Sequence, residues 1–207
     1  MNPLVSIWTQ PKETIRYVLE YKTWTYSFLI LFLSAISLGL TSFADTDILP
    51  DFSLVATVIL AIISTFIGSI ISLFIAAGLY TWVGKWLRGK GNFKDMFQMI
   101  PISSIPLIWM LPINLLLVVV FGKSLFMDTN EPTVWMSLPT TLLLLTNLLT
   151  FGLGIFSLVI LSKGIGIVHQ FSSWRGFGVI VIIFGIALVL FIPIIVISLF
   201  FLIGGIM

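Results

Sequence analysis

The sequence contains no cysteine, which excludes disulfides, thiolate metal sites and cysteine nucleophiles together. It has one histidine and few charges of either sign, ten basic and eight acidic side chains amounting to 9% of the residues. None of these ionisable groups falls deep inside the long apolar runs that dominate the chain. A charge in lipid costs on the order of several kcal/mol and marks proton relays, ion paths or catalytic centres. Its absence argues against a proton-coupled carrier and against an intramembrane protease, while a passive pathway lined by hydroxyls and carbonyls stays open. The chain also has no phosphate loop, no GxSxG, no HExxH and no dinucleotide fingerprint, so it is read as a non-enzyme with no cofactor.

What it has instead is hydrophobicity: 59% apolar residues and a mean hydropathy of +1.19. Apolar runs cover about residues 23–43, 54–84, 99–121, 138–162 and 178–203. Each suffices for a helix of roughly 20 residues across the ~30 Å hydrocarbon layer. In lipid every backbone N–H and C=O must find an internal partner, which favours helices, and the alternating period of barrel strands is missing. The predicted fold is an all-α polytopic membrane bundle with five transmembrane helices over residues 23–207, preceded by an amphipathic lead-in over 1–22. Nine of the ten Lys and Arg residues lie before the first run, between the second and third, or between the fourth and fifth; only Lys123 lies elsewhere. Cationic segments are retained in the cytoplasm, so the N-terminus is placed there and the C-terminus outside. The formal net charge of +2 is polarised along the membrane normal and speaks for topology, not for nucleic acid.

The lead-in does not read as a secretory signal, because Lys12, Glu13, Arg16, Glu20 and Lys22 interrupt it. Pro11 opens a helix and Glu13 complements its N-terminus, with Ile15, Val18 and Leu19 as an apolar stripe. It is predicted to lie on the membrane surface. A second interfacial helix is predicted after the glycines at 89 and 91, where Phe93, Met96, Phe97 and Ile100 share one face and Lys94, Asp95 and Gln98 the other. With Arg88 and Lys90 beside it, the set Arg88, Lys90, Phe93, Lys94, Met96 and Phe97 is the expected contact for lipid or a partner.

Inside the runs, Ser64, Gly68, Ser72 and Ala76 recur every four residues, a spacing that lets helix backbones approach closely in lipid. Pro101, Pro106 and Pro112 should start, then kink or unwind, the third run, leaving carbonyls for hydroxyls such as Ser103 and Ser104 to satisfy. Asn114 and Asn147 are the strongest intramembrane polar groups and are expected to hydrogen-bond to each other across helices, or else to mark a solute site. His169, without Cys, Asp or Glu neighbours, is expected to be a solvated loop residue. Asp45, Asp47 and Asp51 cluster in an outer segment but lack the remainder of a calcium loop, so no metal site is assigned.

The stretch 78–117, with Gly89, Gly91, Phe93, Pro101, Pro106 and Pro112, resembles the Yip domain family of Ypt/Rab-interacting-protein-like five-span membrane proteins. The stretch 154–178 and the opening residues Asn2, Pro3, Pro11 and Thr14 are similar to the family as well. The resemblance implies a non-enzymatic adaptor. In the eukaryotic branch, whose members carry a longer cytoplasmic N-terminal region, that means membrane traffic with prenylated small GTPases. The short form looks bacterial, and some bacterial relatives are accessory proteins of ABC-type exporters. On this reading the protein is multi-pass in a bacterial cytoplasmic membrane, with the bilayer and a membrane-protein partner or a second copy as its contacts. The alternative is a transporter or channel subunit whose pathway passes the proline-broken third run.

Overall fold

The computed structural model describes residues 1–46, 51–127 and 140–204, with side chains described to 193 apart from 142 and 143. Every regular element among them is helical. α1 (Pro3–Ser6) and α2 (Pro11–Tyr21) both carry proline in the first turn, where a missing N–H is not felt. α3 is Trp24–Gly39 and α4 is Leu54–Trp86. α4 starts where the Ser53 hydroxyl accepts the Ala56 N–H at 3.3 Å. α5 (Phe93–Met99) begins in the same way, with Asn92 Oδ1 accepting the Asp95 N–H at 2.9 Å while Asn92 Nδ2 donates back to Asp95 at 2.8 Å. A 3-10 turn (Ile100–Ser104), α6 (Ile105–Ile108), α7 (Leu111–Phe121) and a second 3-10 turn (Gly122–Phe126) follow. The chain closes with α8 (Thr140–Val168) and α9 (Ser173–Gly204).

Among the described residues, three helices are long and apolar enough to cross a membrane: Leu54–Trp86, Leu144–Val168 and Ser173–Pro193. The pair Phe93–Ile108 and Leu111–Phe126, bent by 54° at its break, makes a fourth if counted as one span. The five spans predicted from hydropathy are therefore three to four by length. The first run yields only the 16 residues of α3, about 24 Å at 1.5 Å per residue, short of the hydrocarbon thickness. The third run is broken where its prolines stand, Pro101 within the first 3-10 turn and Pro106 and Pro112 at the openings of α6 and α7.

Those two irregular segments are neighbours, and the structure answers the question of the loosened carbonyls. Serines on one face of α3 donate across: Ser27 to the Gln98 carbonyl at 2.8 Å, Ser34 to the Ser104 hydroxyl at 3.0 Å and Ser37 to the Leu107 carbonyl at 2.8 Å. Asn114 Nδ2 then returns a bond to the Ser37 carbonyl at 2.7 Å. Partners advance together along the two segments, so α3 and the third run lie parallel. Ser103 and Ser104 serve locally, bonding the carbonyls of Ile100 and Pro101 at 2.7 Å. This ladder lets irregular backbone exist away from lipid.

Two apolar clusters fill the interior. The larger gathers Ile7, Ile15, Val18, Ile30, Met96, Phe97, Met99, Ile102, Ile105, Ile165 and Val179, among others. The smaller, at the other end of α3 and α7, joins Leu40, Leu117, Val118, Leu125 and Phe126. The stripe Ser64, Gly68, Ser72 and Ala76 takes no part in a close crossing: a methyl group at Gly68 would meet nothing within 4 Å. The buried face of α4 is set by Ala61, Leu73, Ala77 and Thr81, one residue or about 100° around the helix. The tight crossing of α3 on α4 falls at Gly39, where a Cβ would come within 2.8 Å of Ile62 Cα.

Candidate functional site at the basic end of the bundle

α2, the turn after α4, α5 and the turn between α8 and α9 meet at one end, which carries Lys12, Arg16, Lys22, Lys85, Arg88, Lys90, Lys94, Lys163 and Arg175. Both long helices arriving there, α4 and α8, stop in the same way. Arg88 takes φ +62° and Gln170 φ +60°, left-handed conformations that cost a non-glycine residue about 1 kcal/mol or more. After α4, the Arg88 N–H bonds to the Lys85 carbonyl at 3.0 Å and Gly89 N–H to that of Gly84 at 2.9 Å. After α8, Gln170 N–H bonds to Ile167 at 3.2 Å and Phe171 N–H to Gly166 at 2.9 Å. Each pair is a Schellman closure satisfying the last carbonyls of its helix.

His169 ties these two ends together. The solvated loop residue expected from sequence is in fact 1% exposed. Its carbonyl accepts the Lys90 N–H at 3.1 Å, its Nδ1 accepts the Gly91 N–H at 3.1 Å, and its Nε2 faces the Tyr80 carbonyl at 3.1 Å. An acceptor at Nδ1 and a carbonyl opposite Nε2 fix the tautomer: neutral imidazole with its proton on Nε2. The ring stacks on Phe171 at 5.3 Å between centroids. It fills the space left by Gly84, Gly89 and Gly91, whose absent Cβ atoms would all overlap it. Burial, with Lys85 nearby, holds its pKa below 6.5 despite the Tyr80 carbonyl pulling the other way. Glycine is needed at 89 and 91 to admit an imidazole, and the left-handed position falls on Arg88 instead. In sequence the signal is three glycines around one turn and one histidine in another, with nothing to pair them.

The apolar faces of the two helices predicted to lie on the lipid surface are turned into the bundle. Ile15 and Val18 of α2 are wholly buried, as are Met96 and Phe97 of α5. Phe97 sits in an aromatic cluster with Trp24, Phe28, Phe74 and Phe93, centroids 4.8–5.8 Å away. Gln98, assigned to the polar face, is also buried; its Nε2 donates to the carbonyls of Val18 and Lys22 at 3.1 and 2.7 Å. It thereby clamps the C-terminus of α2, adding a second donor to the Val18 carbonyl, which already takes the Lys22 N–H at 3.0 Å, and supplying one to the Lys22 carbonyl just past the helix. The apolar stripes pack on the bundle's own end, since that surface offers both apolar contact and carbonyl acceptors. Left exposed are Arg88, Lys90, Lys94 and the edge of Phe93. These are the members of the predicted contact set able to meet another molecule.

Asn114 and Asn147 do not meet. Asn114 is buried on Ser37, whereas Asn147 is exposed on α8. A cleft of about 400 Å³ runs beside Gly68, its mainly apolar wall (Leu31, Leu73, Ile100) carrying the hydroxyls of Thr65, Ser69, Ser72, Ser103 and Ser104. The acidic segment is partly described: the Asp45 N–H bonds to the Leu125 carbonyl at 3.0 Å, Asp51 is exposed, and Asp47 lies outside the described residues.

The model of the family described as the Yip1 domain matches residues 5–196. No curated protein and no solved structure matches the chain.

Proposed function

The chain belongs to the Yip1 domain family, and from that premise we propose that this multi-pass membrane protein is a non-enzymatic adaptor or accessory protein. Its working surface is the exposed basic turn of Arg88, Lys90, Lys94 and Phe93. The observation that carries the reading is His169: a turn serving only as a retention signal needs no fixed shape, yet this one is clasped by a buried imidazole and three glycines. A preformed cationic surface loses little entropy on docking, and its charge speeds encounter with an acidic partner. The partner class is a second membrane protein, such as an ABC-type exporter, or another copy of this chain. On this reading the N-terminus and the basic end lie in the cytoplasm of a bacterium, and α3 and the bent pair complete five spans. Reporter fusions after residue 90 or 170 should report cytoplasm, and those after 47, 130 or 207 the outside.

Arg88, Lys90 and Lys94 replaced together by Gln should leave insertion and folding intact but reduce recovery of partners that co-purify in mild detergent. Undiminished recovery from a correctly inserted variant refutes the docking role. A second reading, a transporter or channel subunit, draws on the cleft beside the proline-broken run, which carries five hydroxyls in a mainly apolar wall. Solute flux from the pure protein in liposomes, lost when Ser72 is replaced by Phe, would establish it over the first.

A further inference from the structure

Two cavities at the basic end share a border. One, of about 360 Å³, lies where α2 passes the turn between α8 and α9; Lys12, Arg16 and Lys163 line it together with Gln170 and Ser172, and no carboxylate does. The other, of about 450 Å³, is an apolar groove between α8 and α9, bounded by Ile155, Leu158, Val159 and Phe177, with Trp174 at its mouth. Lys163 and Ser173 line both. The junction is fixed: Ser162 donates to the Ser173 carbonyl at 2.7 Å, and α8 and α9 approach so closely that a Cβ at Gly176 would overlap the Ser162 carbonyl. Lys12 and Arg16, four residues apart on one face of α2, are held in place by the burial of Ile15 and Val18.

A cationic pocket opening directly onto an apolar trough fits an amphiphile, and we propose that this site binds one anionic glycerophospholipid. Its phosphate sits among Lys12, Arg16 and Lys163, and one acyl chain lies along the groove. Trp174, 83% exposed, sets the depth, because indoles collect at the headgroup level. The first turn of α9, whose Arg175 N–H is held by the Ser172 hydroxyl at 3.4 Å, adds the positive end of its dipole. The lining also selects. A zwitterionic headgroup brings an ammonium into a pocket with three cations and no carboxylate, whereas a net-negative one brings only attraction. A free phosphate would use the pocket and leave the groove empty. The site is separate from the Arg88–Lys94 surface and does not depend on the adaptor reading.

The test uses the full chain, purified in detergent and melted with dioleoyl-phosphatidylglycerol, with dioleoyl-phosphatidylcholine or with inorganic phosphate. Phosphatidylglycerol should raise the melting temperature and be retained through washing; the other two should not. Each basic residue near a lipid surface contributes roughly a fivefold factor, so K12Q/R16Q/K163Q should weaken retention on the order of a hundredfold. R88Q/K90Q/K94Q, which removes the same charge nearby, should weaken it far less. Equal retention of the two lipids, equal loss in both variants, or equal stabilisation by phosphate alone would each overturn the proposal. A fourth measurement keeps the test open if the first variant does not fold. Phosphatidylglycerol brominated on its acyl chain should quench the fluorescence that distinguishes the parent from Trp174→Phe, and no such quenching overturns the groove.

Discussion

Gly84→Ala tests the imidazole clasp, because elementary propensity and the structure give it opposite signs. Within α4 an alanine is worth about 1 kcal/mol over glycine, so the change should stabilise wherever space allows. At Gly78, on the same helix, a Cβ would meet nothing within 4 Å, and Gly78→Ala should raise stability by roughly 0.5–1 kcal/mol. At Gly84 the same methyl overlaps the His169 ring, with Cδ2 at 2.7 Å. The ring cannot simply retreat, since Phe171 stacks on one face and the backbone of Gly89 and Gly91 borders it. Overpacking of this kind costs about 1–3 kcal/mol, and displacing the ring forfeits two hydrogen bonds of about 1 kcal/mol each. Against the propensity gain, Gly84→Ala should destabilise by about 2–4 kcal/mol. Thermal unfolding followed by tryptophan fluorescence in one detergent compares the two variants. Gly84→Ala melting as high as Gly78→Ala would show that His169 does not occupy the space between the turns.

The same imidazole should make stability depend on pH. Its folded pKa lies below 6.5, so the folded state holds the neutral ring while the unfolded chain takes up a proton first. Stability should be full above about pH 6.5 and fall as the pH drops below it; melting curves across that range should show the decline, and His169→Gln should abolish it. Asn114→Ala should cost on the order of 1–3 kcal/mol by leaving the Ser37 carbonyl without its donor, whereas Asn147→Leu should leave the melting temperature unchanged; equal effects would return the two amides to one shared role. Gly68→Leu should fold in normal yield because its side chain enters the open cleft, while Gly176→Leu, aimed at the Ser162 carbonyl, should not; size-exclusion profiles decide between them.

The helical class, the membrane setting and the family follow from one-dimensional facts: hydropathy, the segregation of nine cations, and glycines and prolines in a recurring order. The breaks at Pro101, Pro106 and Pro112 were also local, since a proline lacks its N–H wherever the chain goes. Periodicity showed that α2 and α5 have an apolar face, but not what covers it. Lipid and the end of a helix bundle are equally apolar to Ile15 or Phe97, and nothing in the sequence signals that the Gln98 amide reaches the Val18 and Lys22 carbonyls once the two helices meet. The stripe at Ser64, Gly68, Ser72 and Ala76 failed for a related reason. Small residues permit a close crossing, but the partner decides the face, and here the buried positions lie a residue further round.

Asn114 and Asn147 were the two amides expected to pair across helices, but a hydrogen bond needs the right neighbour, and α3 supplied one to Asn114 through Ser37. His169 was the least legible. Alone in the sequence, it has no metal partner or catalytic neighbour to give it meaning. Its role exists only because two helix ends, 84–91 and 166–171, arrive side by side with glycine on one and imidazole on the other. Composition and period mark which segments are apolar enough for a membrane, because each residue meets the lipid on its own account. Packing, tautomer and cavity depend on pairs of residues far apart in the chain, and only the tertiary structure brings those pairs together.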